Sequence, residues 1–172
     1  MRYSSIRALA LLSACAIFAL TLTPNRAWAF TDCRTLDTVI ASADPATNAG
    51  MHGHLAKHVV NMDYQLLSNP QIVGTRAYPD TDTFTEVWDA YALLPYDRAG
   101  RPNCDGSVGS PRGQIPFARL VDVDGFNVSV CADAADGACL DWNVGAATGN
   151  VTFSFTRNGD GAWILNTSYP YP

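Results

Sequence analysis

The stretch from Val151 to Leu165 contains two strand patterns joined by a turn. It reads Val151-Thr152-Phe153-Ser154-Phe155, then Asn158-Gly159-Asp160-Gly161, then Trp163-Ile164-Leu165. β-Branched and aromatic residues favour strands, and an Asn-Gly pair favours the tight turn of a hairpin. The stretch therefore predicts an antiparallel hairpin, whose first strand we expect to cover Asn150 to Thr156.

Upstream of this hairpin, the sequence predicts one more strand and a long loop. Residues Leu120 to Val130 are rich in Val and Phe, which is typical of a strand. Residues Pro95 to Pro116 are rich in Gly, Pro and Arg, which favours a loop.

Helical patterns dominate the part of the chain before this loop. We expect a first helix over Cys33 to Ala43, a loop over Ala46 to Gly50 and a second helix over Gly53 to Leu67, where apolar residues recur at helical intervals. Thr83-Phe84-Thr85-Glu86 fits a capping box and predicts the start of a third helix. Helices first and strands afterwards indicate an α+β domain, with N-terminal helices followed by a twisted antiparallel sheet.

The N-terminus has the pattern of an export signal. Arg2 and Arg7 precede an apolar run from Ala8 to Leu22, and Ala27-Trp28-Ala29 fits the small-x-small pattern of a signal-peptidase site. We expect residues 1–29 to be removed, leaving one domain over residues 30–172 in the periplasm or outside the cell. The alternative is a lipoprotein that begins at Cys15, but the apolar run continues beyond that cysteine.

Removal of the signal makes the chain strongly acidic. Three of its 11 Lys and Arg residues lie in the signal and none of its 16 Asp and Glu residues do, so 8 remain against 16, a formal charge of −8. Such a charge disfavours loose binding to nucleic acid or to anionic membranes. We expect a monomer without membrane contact, which must hold any RNA locally.

Four cysteines remain in the exported chain, and an even number predicts two disulfides in an oxidising compartment. Three pairings are open. Cys131 and Cys139 bracket a short segment with turn residues, which favours pairing these two and leaves Cys33 with Cys104.

All three histidines lie in the segment Met51 to Val59. On a helix, His54 and His58 would share a face, so they can act together, bind a metal or merely pack. A metal site needs a third ligand, for which Asp63 or a distant carboxylate can serve, but no His-Glu-x-x-His motif is present.

Several short motifs together resemble the bacterial ribonuclease A-like toxin domain found at the C-termini of contact-dependent growth inhibition toxins. They lie within residues 50–94 and 150–170 and include a terminal Thr-x-Tyr-Pro. They are Gly53-His54-Leu55-Ala56-Lys57-His58-Val59, Asp63-Tyr64-Gln65-Leu66-Leu67, Thr83-Phe84 and Asn166-Thr167-Ser168-Tyr169-Pro170.

The resemblance assigns site residues one by one. The histidine of the family's His-Val pair falls on His58, and the threonine and tyrosine of the terminal motif fall on Thr167 and Tyr169. His54 corresponds to the family's first histidine, although the two histidines are here four apart instead of five. The family's helix arginine falls near Asn69, and Arg76 is a candidate for the lost cation.

The function that the resemblance implies is exported, toxin-like ribonuclease activity in competition between bacteria. It would cleave RNA by transesterification to a 2′,3′-cyclic phosphate, without a metal or other cofactor, and its maker would need a cognate immunity protein. The alternatives are a catalytically inactive ribonuclease-like module that binds a partner in the periplasm, and a secreted disulfide-bonded module with a histidine metal site. If the assignment is right, His58 lies within reach of Thr167 and Tyr169.

Overall fold

The computed structural model describes residues 30–60, 62, 70–105, 126–147 and 150–171, together with the backbone of residues 112–116. The predicted signal peptide and Cys15 lie outside these residues. Among the described residues, none of the helices combines the length and the apolar character needed to cross a membrane.

The fold is α+β, as predicted, with short helices and antiparallel sheets. The helices are α1 (Asp37–Ala41), α2 (Pro45–Gly50) and α3 (Thr81–Leu93), with 3-10 helices at Cys33–Thr35 and Leu55–His58. The strands are β1 (Arg76–Ala77), β2 (Arg112–Pro116), β3 (Asn127–Ala135), β4 (Ala138–Ala147), β5 (Asn150–Arg157) and β6 (Trp163–Tyr171). The prediction that the helices all precede the strands is wrong, because β1 lies between α2 and α3.

Two three-stranded antiparallel sheets replace the single sheet that the sequence predicted. One has the strand order β1-β3-β4 and the other the order β2-β5-β6. The hairpin predicted from Val151 to Leu165 is formed by β5 and β6, and its turn lies at Asn158 to Gly161 as predicted. Strand β2 falls inside the predicted loop, where Ile115 pairs with Val151.

Aromatic packing holds the second sheet against α3. The rings of Tyr91 on α3 and Phe153 on β5 stack with centroids 3.8 Å apart, and Trp88 lies 6.0 Å from the same phenylalanine. All three side chains are buried. Burial of such large apolar groups supplies the main free energy that joins the helix to the sheet.

The helix ends differ from prediction because aspartates cap them. Helix α3 begins at Thr81, and the carboxylate of Asp80 accepts a hydrogen bond from Thr83 N at 2.7 Å, so the predicted capping box starting at Thr83 is wrong. Asp44 caps α2 in the same way, with Pro45 in the first helical position. The predicted loop over 46–50 is therefore helical, because proline can begin a helix.

Neither of the other two predicted helices is continuous. The helix predicted over Cys33 to Ala43 is interrupted at Leu36, whose backbone is extended. Of the helix predicted over Gly53 to Leu67, the described residues form only a 3-10 turn at Leu55–His58, since the backbone of Val59 is already extended and pairs with Tyr78. Residues 61 and 63–69 lie outside the described part of the chain.

Both predicted disulfides are present, Cys33–Cys104 and Cys131–Cys139. The second joins the paired strands β3 and β4 across a tight turn at Asp136-Gly137, which lies in the segment whose turn residues favoured this pairing. Two disulfides are compatible with an oxidising compartment.

A buried arginine links the segment before α1 to α3. No sequence pattern had pointed to this residue. The side chain of Arg34 forms an ion pair with Asp32 at 2.6 Å and donates to the carbonyl oxygens of Tyr91 and Leu94 at 2.8 and 2.7 Å. These carbonyls lie at the C-terminal end of the helix, where backbone acceptors outnumber the donors of the helix. Arg34 is therefore a structural residue.

Candidate active site

The segment that contains the histidines is shaped by the buried side chain of Asn48. Its amide oxygen accepts from Leu55 N at 2.8 Å, and its amide nitrogen donates to the carbonyl oxygens of Ser42, at 2.9 Å, and of Leu165. A Cβ on Gly53 would lie 2.2 Å from the amide oxygen of Asn48, so only glycine fits there. One polar side chain thus joins α1, the histidine segment and β6.

Backbone hydrogen bonds then hold the histidine segment between two strands. His54 N donates to Asn166 O on β6 at 2.6 Å, while His58 O accepts from Tyr78 N at 2.8 Å. Since both ends of this short segment are bonded to strands, it has no freedom to form the longer helix that the apolar spacing predicted. The hypothesis that His54 and His58 share one face of a helix is therefore wrong.

The fully buried Tyr78 connects the histidine segment to β6 a second time. Its hydroxyl lies 2.7 Å from the hydroxyl of Ser168, the residue between Thr167 and Tyr169. Burial raises the pKa of Tyr78, so this phenol stays neutral. Tyr78 therefore holds both the backbone of His58 and strand β6, which carries Tyr169.

His58 and Tyr169 meet, although 111 positions separate them in the sequence. Their ring centroids are 5.2 Å apart, with the planes inclined by 37°. Nδ1 of His58 lies 2.6 Å from Arg76 O. A carbonyl oxygen can only accept, so Nδ1 carries the proton and Nε2 keeps a lone pair. The neutral ring is thus oriented to accept a proton at Nε2.

Burial of the His58 ring lowers its pKa to about 4. The hydrogen bond to Arg76 O opposes this shift, while the charges of Lys57 and His54 add to it. The pKa of His54 is also lowered, first by burial and then by Lys57. Both rings are therefore neutral at pH 7.

These shifts make the stability of the fold depend on pH. Between about pH 6.5 and 4 an unfolded histidine takes up a proton that folded His58 does not, so the free energy of unfolding should fall as the pH falls. A difference of one bound proton gives a slope of about 1.4 kcal/mol per pH unit, which is the largest slope that His58 alone can contribute. Urea unfolding at several pH values should show a smaller slope in His58→Gln than in the parent protein. An equal slope in both proteins would contradict the lowered pKa.

The two rings line an open cavity of about 300 Å³. The residues around it are Lys57, His58, Ile72, Val73, Gly74, Thr75, Arg76 and Tyr169. These described residues include two cations and no carboxylate, although the whole chain is acidic. In the part of the chain that the structure describes, neither Lys57 nor Arg76 forms an ion pair. The cavity therefore suits an anion.

The Cys131–Cys139 disulfide supports one wall of this cavity. Gly74 N donates to Cys131 O at 2.8 Å, and Cys131 N donates to Thr75 O at 2.9 Å. The buried side chain of Gln71 accepts from Cys139 N at 2.8 Å and donates to Lys57 O at 3.1 Å. The disulfide-linked strands thus position both the wall and the backbone of Lys57.

The structure brings together some of the predicted site residues and leaves others apart. His58 and Tyr169 line the cavity, and so does Arg76, the candidate for the lost cation. Thr167 lies two residues before Tyr169 on β6, on the same face of the strand, but is not among the lining residues. Its buried hydroxyl has no hydrogen-bond partner among the described residues. His54 lies outside the cavity lining.

The metal alternative gains no support from the described residues, where no three His, Cys, Asp or Glu side chains are grouped to hold an ion. Asp63 and Asn69, which the sequence raised as a metal ligand and as the position of the family's arginine, lie outside the described part of the chain.

Comparison of the chain with protein-family models, with curated proteins and with solved structures gives no match.

Proposed function

We propose that this protein is an exported ribonuclease of the ribonuclease A-like toxin type. It cleaves RNA by transesterification to a 2′,3′-cyclic phosphate and uses no metal. The observation that supports this most is the contact between the His58 and Tyr169 rings in a cavity where the charged lining residues that the structure describes are all cationic. A phosphodiester is the anion that such a combination of a base, a phenol and cations can both bind and cleave.

The roles follow from the protonation states. Neutral His58 accepts the proton of the 2′-hydroxyl at Nε2, and the 2′-oxygen attacks phosphorus as the bond from phosphorus to the 5′-oxygen breaks. Lys57 and Arg76 neutralise the charge on the non-bridging oxygens. Because the lowered pKa values of His54 and His58 leave neither ring protonated at pH 7, the 5′-oxygen takes its proton from Tyr169 or from water.

Arg76 takes the place of the family's helix arginine in this proposal. Its backbone carbonyl orients His58, and the same residue lines the cavity, so a single residue serves both the base and the phosphate. A cognate immunity protein would protect the maker by covering this cavity.

A catalytically inactive ribonuclease-like module is the second candidate. The observation that favours it is Asn69, which is uncharged where the family has arginine. Such a module would keep the cationic cavity and would bind RNA or a partner without releasing product.

RNA cleavage with and without a chelator is the deciding measurement. We expect purified protein with intact disulfides to cut total RNA, to leave 2′,3′-cyclic phosphate ends and to keep its rate in excess EDTA, because the mechanism draws only on protein groups. RNA that stays intact would favour the inactive module. Cleavage that EDTA stops would favour a metal site.

A further inference from the structure

One wall of the cavity is an apolar turn, formed by Ile72-Val73-Gly74-Thr75. Thr75 N donates to Ile72 O at 3.0 Å, and Gly74 has a φ of 87°, which fits a type II turn with glycine in the third position. Ile72 and Val73 expose 63% and 60% of their surface. Two neighbouring aliphatic side chains therefore face solvent beside a cationic site.

This turn is held in place. The peptide groups of Gly74 and Thr75 are bonded to Cys131, and the Thr75 hydroxyl accepts from Ile72 N at 3.3 Å. The disulfide from Cys131 to Cys139 fixes the strands behind it. Binding an apolar group here would thus need little ordering of the protein.

The cavity joins this apolar wall to Lys57 and Arg76. A ligand that satisfies both parts carries an anionic group next to a flat apolar group, and in RNA each phosphate lies next to a nucleobase.

We propose that Ile72 and Val73 bind the nucleobase next to the scissile phosphate, while Lys57 and Arg76 hold that phosphate. This inference rests on the proposed ribonuclease function and adds the recognition of the base. Aliphatic side chains cover the face of a ring without reading its edge, so all four bases should gain from the contact.

Binding of small ligands tests this. By calorimetry, adenosine 3′-phosphate and uridine 3′-phosphate should each bind about tenfold more tightly than ribose 5-phosphate, which has no base. The double variant Ile72→Ser/Val73→Ser should lose this advantage and keep its affinity for ribose phosphate. Arg76→Gln should weaken the binding of all three ligands.

The matched control is Leu93→Ser, which removes an aliphatic side chain that is 85% exposed and lies on α3, outside the cavity lining. It should bind every ligand as the parent protein does. The inference is overturned if nucleotides bind no better than ribose phosphate, if nothing binds, or if the double variant keeps the nucleotide advantage.

These outcomes are separate from the test of the proposed function, because they measure binding and not cleavage. If the protein binds nucleotides as expected but leaves RNA intact, the role of the turn in binding the base is supported and the ribonuclease assignment is contradicted.

Discussion

Replacing His58 with alanine is expected to slow RNA cleavage by about a hundredfold or more, which is the usual loss when a general base is removed. The reason is the orientation of the ring: Nδ1 is hydrogen-bonded to Arg76 O, so Nε2 is the acceptor, and the ring lies beside that of Tyr169. Initial rates on a short fluorescent RNA at pH 7 measure the effect. Tyr169→Phe should also lower the rate, since it removes the hydroxyl and keeps the ring.

The pH profile gives an independent check on the same residue. Because the pKa of His58 is lowered to about 4, the neutral base persists well below pH 6.5, and the rate should fall only near pH 4. The control is His52→Asn, which removes the exposed histidine of the same segment and should leave the rate unchanged. If His58→Ala cleaves RNA at the parental rate, His58 is not the base.

Replacing Asn48 with alanine is expected to lower the free energy of unfolding by about 3 to 5 kcal/mol, because three buried backbone groups lose their partner at once. These groups belong to Ser42, Leu55 and Leu165. Asn48→Asp should also be destabilising, since a carboxylate keeps the acceptor and loses both donated hydrogen bonds. Urea unfolding measures both changes.

The matched control for this prediction is Asn143→Ala on β4, where the asparagine is exposed and the change should stay within about 0.5 kcal/mol. Gly53→Ala should reproduce part of the Asn48 effect, because its new methyl group would meet the Asn48 amide. Equal stability of Asn48→Ala and Asn143→Ala would show that Asn48 does not organise the site.

The sequence predicted well the parts of the fold that depend on neighbouring residues. The hairpin around Asn158 to Gly161 formed as expected, because its strand preference and its turn residues agree. The disulfide pairing also followed from local spacing, since only eight positions separate Cys131 from Cys139. These features need little knowledge of the rest of the chain.

Elements that depend on distant partners were predicted poorly. The apolar spacing from Leu55 to Val59 resembles a helix, but the hydrogen bonds of His54 to Asn166 and of Tyr78 to His58 impose another backbone. Asn48 attracted no notice because a lone asparagine has no signature in sequence. Strand β4 was missed although Leu140, Trp142 and Val144 alternate along it, and the fold leaves Leu140 and Val144 exposed.

The candidate site was predicted in part for the same reason. The resemblance named His58 and Tyr169, which the structure brings together, and raised Arg76 without placing it. Lys57 lay inside the quoted motif but had no role assigned. Arg76 on β1 is brought to the histidine segment by the bridge between Val59 and Tyr78. No local sequence pattern predicts this pairing.

Strand β6 has a consequence for the order in which the chain folds. Its bonds reach Ser42, Asn48 and Tyr78, which are 123, 117 and 90 positions away. Contacts at such separations close large loops, and proteins dominated by them fold slowly, in about milliseconds to seconds. Until this strand docks, the His58 ring has no Tyr169 beside it. An early folding intermediate that lacks the docked strand would therefore have no assembled site.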